Sequence, residues 1–311
     1  MRSRDLSFKM GTGAFALVLV LIVIAIGIEL TRQSMLSIEK FGFNFWRTET
    51  WDPVAGDFGA LPFIWGTLYS SILALILATP IALGIAVFVS ELCPPRLRQP
   101  LVFLTELLAA VPSIVYGLWG IFVLVPLIRS LEGSTPIILR RLPLFSGPPV
   151  GVGMLAAGVI LAIMIIPFTS SVAREVLRSV PLAQREGAYA LGATCFEAIR
   201  AALFYARTGI VGAVMLGFGR ALGETMAVTM VIGNTPRISA SLFAPQYTMA
   251  AVLANEFTEA DTQLYLDALI EIGLVLFVLT LIINGLSRLL IWSMARSSSR
   301  ASAPVVAEVV A

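Results

Sequence analysis

Histidine is absent from the 311 residues of this chain. Its absence removes the commonest general base, the usual pH switch and the commonest zinc ligand. Cysteine is nearly absent. Cys93 and Cys195 stand 102 positions apart, form no CxxC pair and read as small hydrophobes, so no metal and no disulfide framework is expected. Charge is scarce as well. Asp, Glu, Lys and Arg make up 13% of the chain, against about 25% in an ordinary soluble domain. What fills the space is apolar: 58% of residues are hydrophobic and the mean hydropathy is +0.92. A soluble chain of this length could not bury so many apolar side chains, so the bilayer is its main solvent.

The apolar runs divide into six spans. The first, Ala14 to Ile28, follows Arg2, Arg4 and Lys9. No A-x-A site follows it, so it reads as an uncleaved membrane helix rather than a signal peptide. Residues 32–60 carry Phe41, Phe43, Phe45, Trp46 and Trp51 and are expected along the outer membrane surface, where tryptophan concentrates. Further spans are expected at about 61–89, 101–128, 150–172, 210–233 and 265–292. The Ser/Ala/Val-rich tail, 293–311, reads as disordered. Thus 1–60 forms an N-terminal helix with an outer-face segment, and 61–292 forms a five-helix transmembrane domain. Six spans of about 20 residues take up roughly 120 residues and leave no room for a nucleotide-hydrolysing domain. No Walker motif is present.

Basic residues set the orientation. With the N-terminus in the cytoplasm, thirteen Lys and Arg fall in cytoplasmic segments, seven in outer segments, and Arg220 within a span. The excess favours both termini inside.

Residues 174–209 are less apolar, retain helical periodicity and contain five arginines. Pro181 must end one helix near Ser179 and allow another to start just after it. Gly192 then permits a turn, because glycine adopts backbone angles that other residues avoid. Helix, turn and helix make a compact knob suited to a groove on a soluble partner, although a plain amphipathic surface helix fits the same pattern. Glu186-Gly187-Ala188, three residues and Gly192 resemble the EAA-x-x-x-G coupling loop of bacterial ABC importer permeases. Two departures stand out. Gly187 replaces the first alanine, softening the helix by about 1 kcal/mol, and Phe204-Tyr205 stands where that pattern has Leu-Pro.

The fifth span holds Gly217 to Asn234, GFGRALGETMAVTMVIGN. Arg220 and Glu224 are four residues apart and are expected on one helix face. An arginine at mid-bilayer costs about 2.5–3.5 kcal/mol on insertion scales and marks an interior or an aqueous path. Its planar fork of donors matches phosphate or carboxylate oxygens. Glu224 is expected to hold it until an anion competes. The alternative is an ion pair that only locks two helices together. Glu106 and Glu271 also lie in or near spans and read as structural.

GTLYSS at 66–71, VPSIVYGLWG at 111–120, IPFTSSVAREVLRSVP at 166–181, EGAYALGAT at 186–194 and GRALGETMAVTMVIGN at 219–234 together resemble the PstC-type permease subunits of bacterial phosphate ABC importers. The resemblance covers about residues 62–292. It implies an all-α, multi-pass protein of the bacterial cytoplasmic (inner) membrane with a type I ABC importer (MetI-like) core. It implies a PstA-type permease as heterodimer partner, a PstB-type ATPase dimer on the knobs and a PstS-type binding protein that delivers inorganic phosphate. Alternating access would carry the solute across. The family's pathway residues carry over to Arg220 and Glu224, and its coupling residues to Glu186, Gly187, Ala188 and Gly192. No cofactor, metal or nucleic acid is expected.

Three rivals remain: an ATP-independent secondary transporter, an importer of another oxyanion or small solute, and an intramembrane enzyme. The last would need a base beside Ser70, Ser71, Ser113, Ser170 or Ser171, and none is evident.

Overall fold

The computed structural model describes residues 3–301. Helix α1, Ser3–Gln33, is followed by the short α2, Met35–Phe41, and a 3-10 turn, Gly42–Trp46. Helix α3, Leu61–Val87, passes into a π-helical turn, Phe88–Leu92. Then come α4, Pro95–Ala110, α5, Ser113–Trp119, a second π turn, Gly120–Leu124, α6, Val125–Ser134, and the short α7, Ile137–Arg140. Helix α8, Met154–Arg178, α9, Leu182–Ala190, and α10, Cys195–Leu222, form the middle of the chain. Helices α11, Met226–Val231, α12, Met249–Glu256, and α13, Gln263–Ala301, complete it. Six of the described helical segments are long and apolar enough to cross a membrane: Phe8–Gln33, Leu61–Leu92, Ser113–Ser134, Met154–Arg178, Cys195–Leu222 and Gln263–Met294.

Lipid is as apolar as leucine, so helices here associate by close packing rather than by burying oil from water. The pattern of α3 shows this. Gly66, Ser70, Ala74, Ala78, Ala82 and Ala86 recur every fourth position and are buried. The bulky Ile72, Ile76 and Ile81 are exposed. That small stripe lies against α8, whose Ala156, Ala157, Ile160, Leu161 and Ile165 are equally buried. Two hydroxyls of this helix are satisfied locally, Thr67 donating to the Phe63 carbonyl at 2.7 Å and Ser70 to that of Thr67 at 3.2 Å. Gly158 faces Leu73, and Gly217 of α10 faces Thr169 of α8, each too close for a Cβ.

Several expected boundaries move. The third span is not continuous from 101: Val111 and Pro112 are extended, so α4 ends at Ala110 and the crossing helix starts at Ser113. Proline bars its predecessor from helical angles, which explains the break. The fourth span extends to Arg178 rather than 172. The fifth begins at Cys195, far before 210, and ends at Leu222, because Gly223 and the polar Glu224-Thr225 interrupt it before α11. The tail expected to be disordered from 293 continues as helix to Ala301. No glycine or proline intervenes until Pro304, and the rest of the tail lies outside the described residues.

Residues 34–60 do not simply lie along a surface. Phe45 and Phe58 are fully buried in a cluster with Phe63, Met249, Tyr265 and Leu269. Phe58 stacks on Tyr265 with centroids 5.3 Å apart, and Trp51 meets Phe63 edge-on at 4.8 Å. One carboxylate oxygen of Glu256 accepts from Trp51 Nε1 at 2.8 Å and from the Tyr265 hydroxyl at 2.7 Å. Within this cluster, outside the spans, burial pushes the Tyr247 phenol above the ordinary tyrosine range, and its oxygen accepts from Asn255 at 3.0 Å. Glu271, read as structural, is 2% exposed in this packed end.

Gly66 sits against the Tyr247 carbonyl, so a methyl group there would collide with backbone. Gly66→Ala should cost about 1–3 kcal/mol, the usual range for overpacking, whereas a Cβ at Gly84 meets nothing within 4 Å. Thermal unfolding in detergent should show a lower midpoint for Gly66→Ala and no drop from steric crowding for Gly84→Ala.

Candidate functional site

Arg220 occupies the last turn of α10, where the helix carbonyl ends favour a cation. Close packing of Gly217 on Thr169 draws α10 against α8. The guanidinium lies 5.9 Å from the Phe168 ring centroid, and its field reaches the phenol of Tyr116 on α5. The Tyr116 hydroxyl itself donates to the Leu108 carbonyl at 2.8 Å. Arg220 is nonetheless exposed on the flank of the chain.

Glu224 does not share a helix face with it. Helix α10 stops at Leu222, and Glu224 sits in the break, its backbone N–H reaching the Ala221 carbonyl at 3.4 Å. Among the described residues the two side chains form no ion pair. The expected intrahelical pair is therefore corrected. Gly223 ends the regular helix, so the i, i+4 alignment is lost. Next to the break runs an open, mostly apolar groove of about 460 Å³, lined by Gly223, Thr225, Leu253, Phe257 and Leu276 among others.

The knob lies at the other end of α10. Helix α8 ends at Arg178 and Pro181 opens α9, as the proline position predicts. Gly192 takes φ +85°, and α10 starts from a capping box. Thr194 accepts from the Glu197 N–H at 3.4 Å while the Glu197 carboxylate accepts from the Thr194 N–H at 2.7 Å. Glu186 and Gly187 are exposed and Ala188 is half-buried. Around them stand exposed Leu182, Tyr189, Leu191 and Phe196, with Leu191 92% exposed. An apolar patch of this kind on a solvent-facing knob marks a contact surface.

Sequence reasoning missed two basic residues. Arg174, 6% exposed, reaches Glu106 of α4 at 3.5 Å. Arg185, which in the sequence is one basic residue among many, turns inward and pairs with Glu91 at 2.7 Å. Both partners are remote in sequence, so no local spacing reveals them. No group of three or more His, Cys, Asp or Glu among the described residues is placed to hold a metal ion.

Residues 81–296 match the family model described as binding-protein-dependent transport system inner membrane component. The chain is 46% identical over 292 residues to the phosphate transport system permease protein PstC of Mesorhizobium japonicum, covering 91% of this chain and 89% of that protein. To the protein of the same name from Haemophilus influenzae it is 47% identical over 301 residues, covering 94% and 95%. A probable PstC of Methanocaldococcus jannaschii is 38% identical over 255 residues, covering 80% and 81%. In structure the chain is similar to the inward-facing MetNI methionine ABC transporter. The TM-score is 0.57 at 17% identity, over 75% of this chain and 94% of that one, a likeness of fold.

A side-chain carbon added at Gly192 would meet open space, but the backbone there is left-handed. Gly187 also faces open space, and it lies within a helix. A β-branched side chain in the left-handed region costs about 1–2 kcal/mol, and glycine to alanine inside a helix gains about 1 kcal/mol. Limited proteolysis should therefore cut faster within 190–195 in Gly192→Val, and no faster than in the parent in Gly187→Ala.

Proposed function

The chain belongs to the binding-protein-dependent transport system inner membrane component family and, within it, to the PstC-type phosphate permeases, and from that premise we propose how this subunit moves its solute. It is the permease subunit of an ABC importer for inorganic phosphate, a multi-pass protein of the cytoplasmic membrane. It is not itself an enzyme; ATP is hydrolysed on a separate chain. Family membership sets aside the ATP-independent transporter and the intramembrane enzyme.

The observation that carries the site is the exposure of Arg220 on the flank of a membrane span. A guanidinium facing hydrocarbon is costly, so this flank faces a second wall and the water-filled path between the two. A PstA-type permease supplies that wall. Arg220 offers the transiting phosphate a planar fork of donors. Glu224, at the helix break beside it, repels the anion and limits its dwell, so that the site passes phosphate on rather than trapping it.

Knob residues Glu186, Gly187, Ala188 and Gly192, with the exposed apolar side chains around them, dock on a PstB-type ATPase dimer. The basic-residue excess supports placing this end, and both termini, in the cytoplasm. A PstS-type binding protein delivers phosphate at the opposite face, and ATP-driven closure of the ATPases alternates access.

Uptake of radiolabelled phosphate into proteoliposomes holding all four kinds of subunit tests this. ATP-dependent uptake is expected in the parent and should fall at least about a hundredfold in Arg220→Gln, the scale of a lost charge-assisted phosphate contact of about 3 kcal/mol. Arg220→Lys should keep part of it. Unchanged uptake in Arg220→Gln at equal expression would remove Arg220 from the pathway. Uptake of sulfate or molybdate in preference to phosphate would reassign the substrate.

A further inference from the structure

Arg185 stands one residue before Glu186 but faces the other way. Its side chain is 17% exposed and that of Glu91 12%. Nε donates to Glu91 Oε2 at 3.1 Å and Nη2 to Oε1 at 2.7 Å, a two-pronged fork that fixes both side chains in one plane. The guanidinium also donates through Nη1 to the Val180 carbonyl at 3.0 Å and through Nη2 to the Leu177 carbonyl at 2.9 Å. Those carbonyls belong to the end of α8, where Leu177 also accepts from the Val180 N–H at 3.3 Å, and to the linker after it.

One side chain on α9 thus holds three elements: its own helix, the end of α8, and the π turn Phe88–Leu92 that ends the second span. Such turns interrupt the regular ladder and concentrate at functional places. The same turn is held from α4, where Arg98 Nη2 donates to the Ser90 carbonyl at 3.1 Å.

The second observation concerns what α9 lacks. None of its residues is buried. Interlocked packing, which joins α3, α8 and α10, therefore does not extend to α9. An ordinary surface ion pair would transmit little, being worth about 0–1 kcal/mol. This pair is mostly buried, doubly hydrogen-bonded and backed by two carbonyls.

We infer that Arg185 and Glu91 form the clamp through which displacement of α9 is passed to the second span, making them positioning residues for the coupling of ATP hydrolysis to transport. The inference rests on the reading of α9 as the ATPase-docking knob. Docking is done by the exposed face of α9, and transmission by the half-buried side that carries Arg185.

Glu91→Gln keeps the size of the side chain and leaves the two carbonyl contacts of Arg185 in place. It should therefore fold and assemble. In proteoliposomes with the permease partner, ATPase and binding protein, phosphate taken up per ATP hydrolysed should fall about fivefold or more, the scale of a typical coupling free energy. ATP hydrolysis and subunit assembly should persist, and Glu91→Asp should recover part of the ratio. An unchanged ratio, or loss of assembly, would overturn the clamp. If the parent complex takes up no phosphate, the functional reading fails instead. The clamp is then decided by spin labels on Ala190 and Ile81 in the full complex, with Cys93 and Cys195 replaced. A distance distribution that broadens in Glu91→Gln supports it, and one that does not change overturns it.

Discussion

Helices in hydrocarbon gain little from pressing apolar side chains together, because the lipid they leave is as apolar as the neighbour they meet. Contact must come from shape. Along α3, small residues every fourth position let α8 approach closely enough for Gly158 to touch Leu73. Once α3 and α8 are in register, α10 follows, since Gly217 rests on Thr169 and Gly209 on Val176. The position of Arg220 is a consequence. It lies at the end of a helix whose axis is set by these glycine contacts nearer its middle. The same logic puts bulky residues outside, so Ile72, Ile76 and Ile81 are exposed while alanines fill the interior. A soluble protein of this composition would be inside out.

Much of this was legible in the sequence. Apolar runs of sufficient length predict six crossings, and six of the described helical segments are long and apolar enough to make them. Pro181 and Gly192 announced the knob because each restricts or releases the backbone locally, whatever surrounds it. Less was legible where a local signal competes with an apolar run. Val111-Pro112 breaks a stretch that hydropathy alone reads as one span. Gly223-Glu224-Thr225 does the same after Arg220, which is why the expected pair on one helix face is not formed. Long-range partners were not legible. Arg185 meets Glu91 across 94 positions, and Trp51 meets Glu256 across 205. Nothing in the spacing of either residue names its partner. The aromatic residues of 32–60 suggested an interface, yet Phe45 and Phe58 are core because α12 and α13 fold over them.

Three arginines illustrate how this fold manages charge. Arg185 has found two carboxylate oxygens and two carbonyls. Arg174 is almost as buried as any core residue but reaches carboxylates only at 3.4–3.5 Å. Arg220 has an aromatic ring at 5.9 Å and an open side. Arg185 spends most of its donors within the chain, Arg174 keeps a buried Nε with no partner, and Arg220 stands exposed. Partnering within the chain thus separates these three arginines, although composition treats them alike.

The two ends of α10 connect these roles. It begins at the capping box beside the knob and ends at Arg220, and its 28 residues correspond to about 42 Å at 1.5 Å per residue. Its interior has neither proline nor a break, unlike α3 with Pro80 and α8 with Pro167. A continuous helix that starts at the knob and carries Arg220 in its last turn cannot tilt at one end without displacing the other. The neighbouring spans, interrupted by prolines and π turns, can bend while it swings. Rigidity is therefore distributed unevenly. The element joining the knob to the pathway is continuous, and the elements that must yield around it contain the irregular turns. The Arg185 clamp ties α9 to one of those yielding turns, so a push on the knob has two routes into the membrane, along α10 and through Glu91.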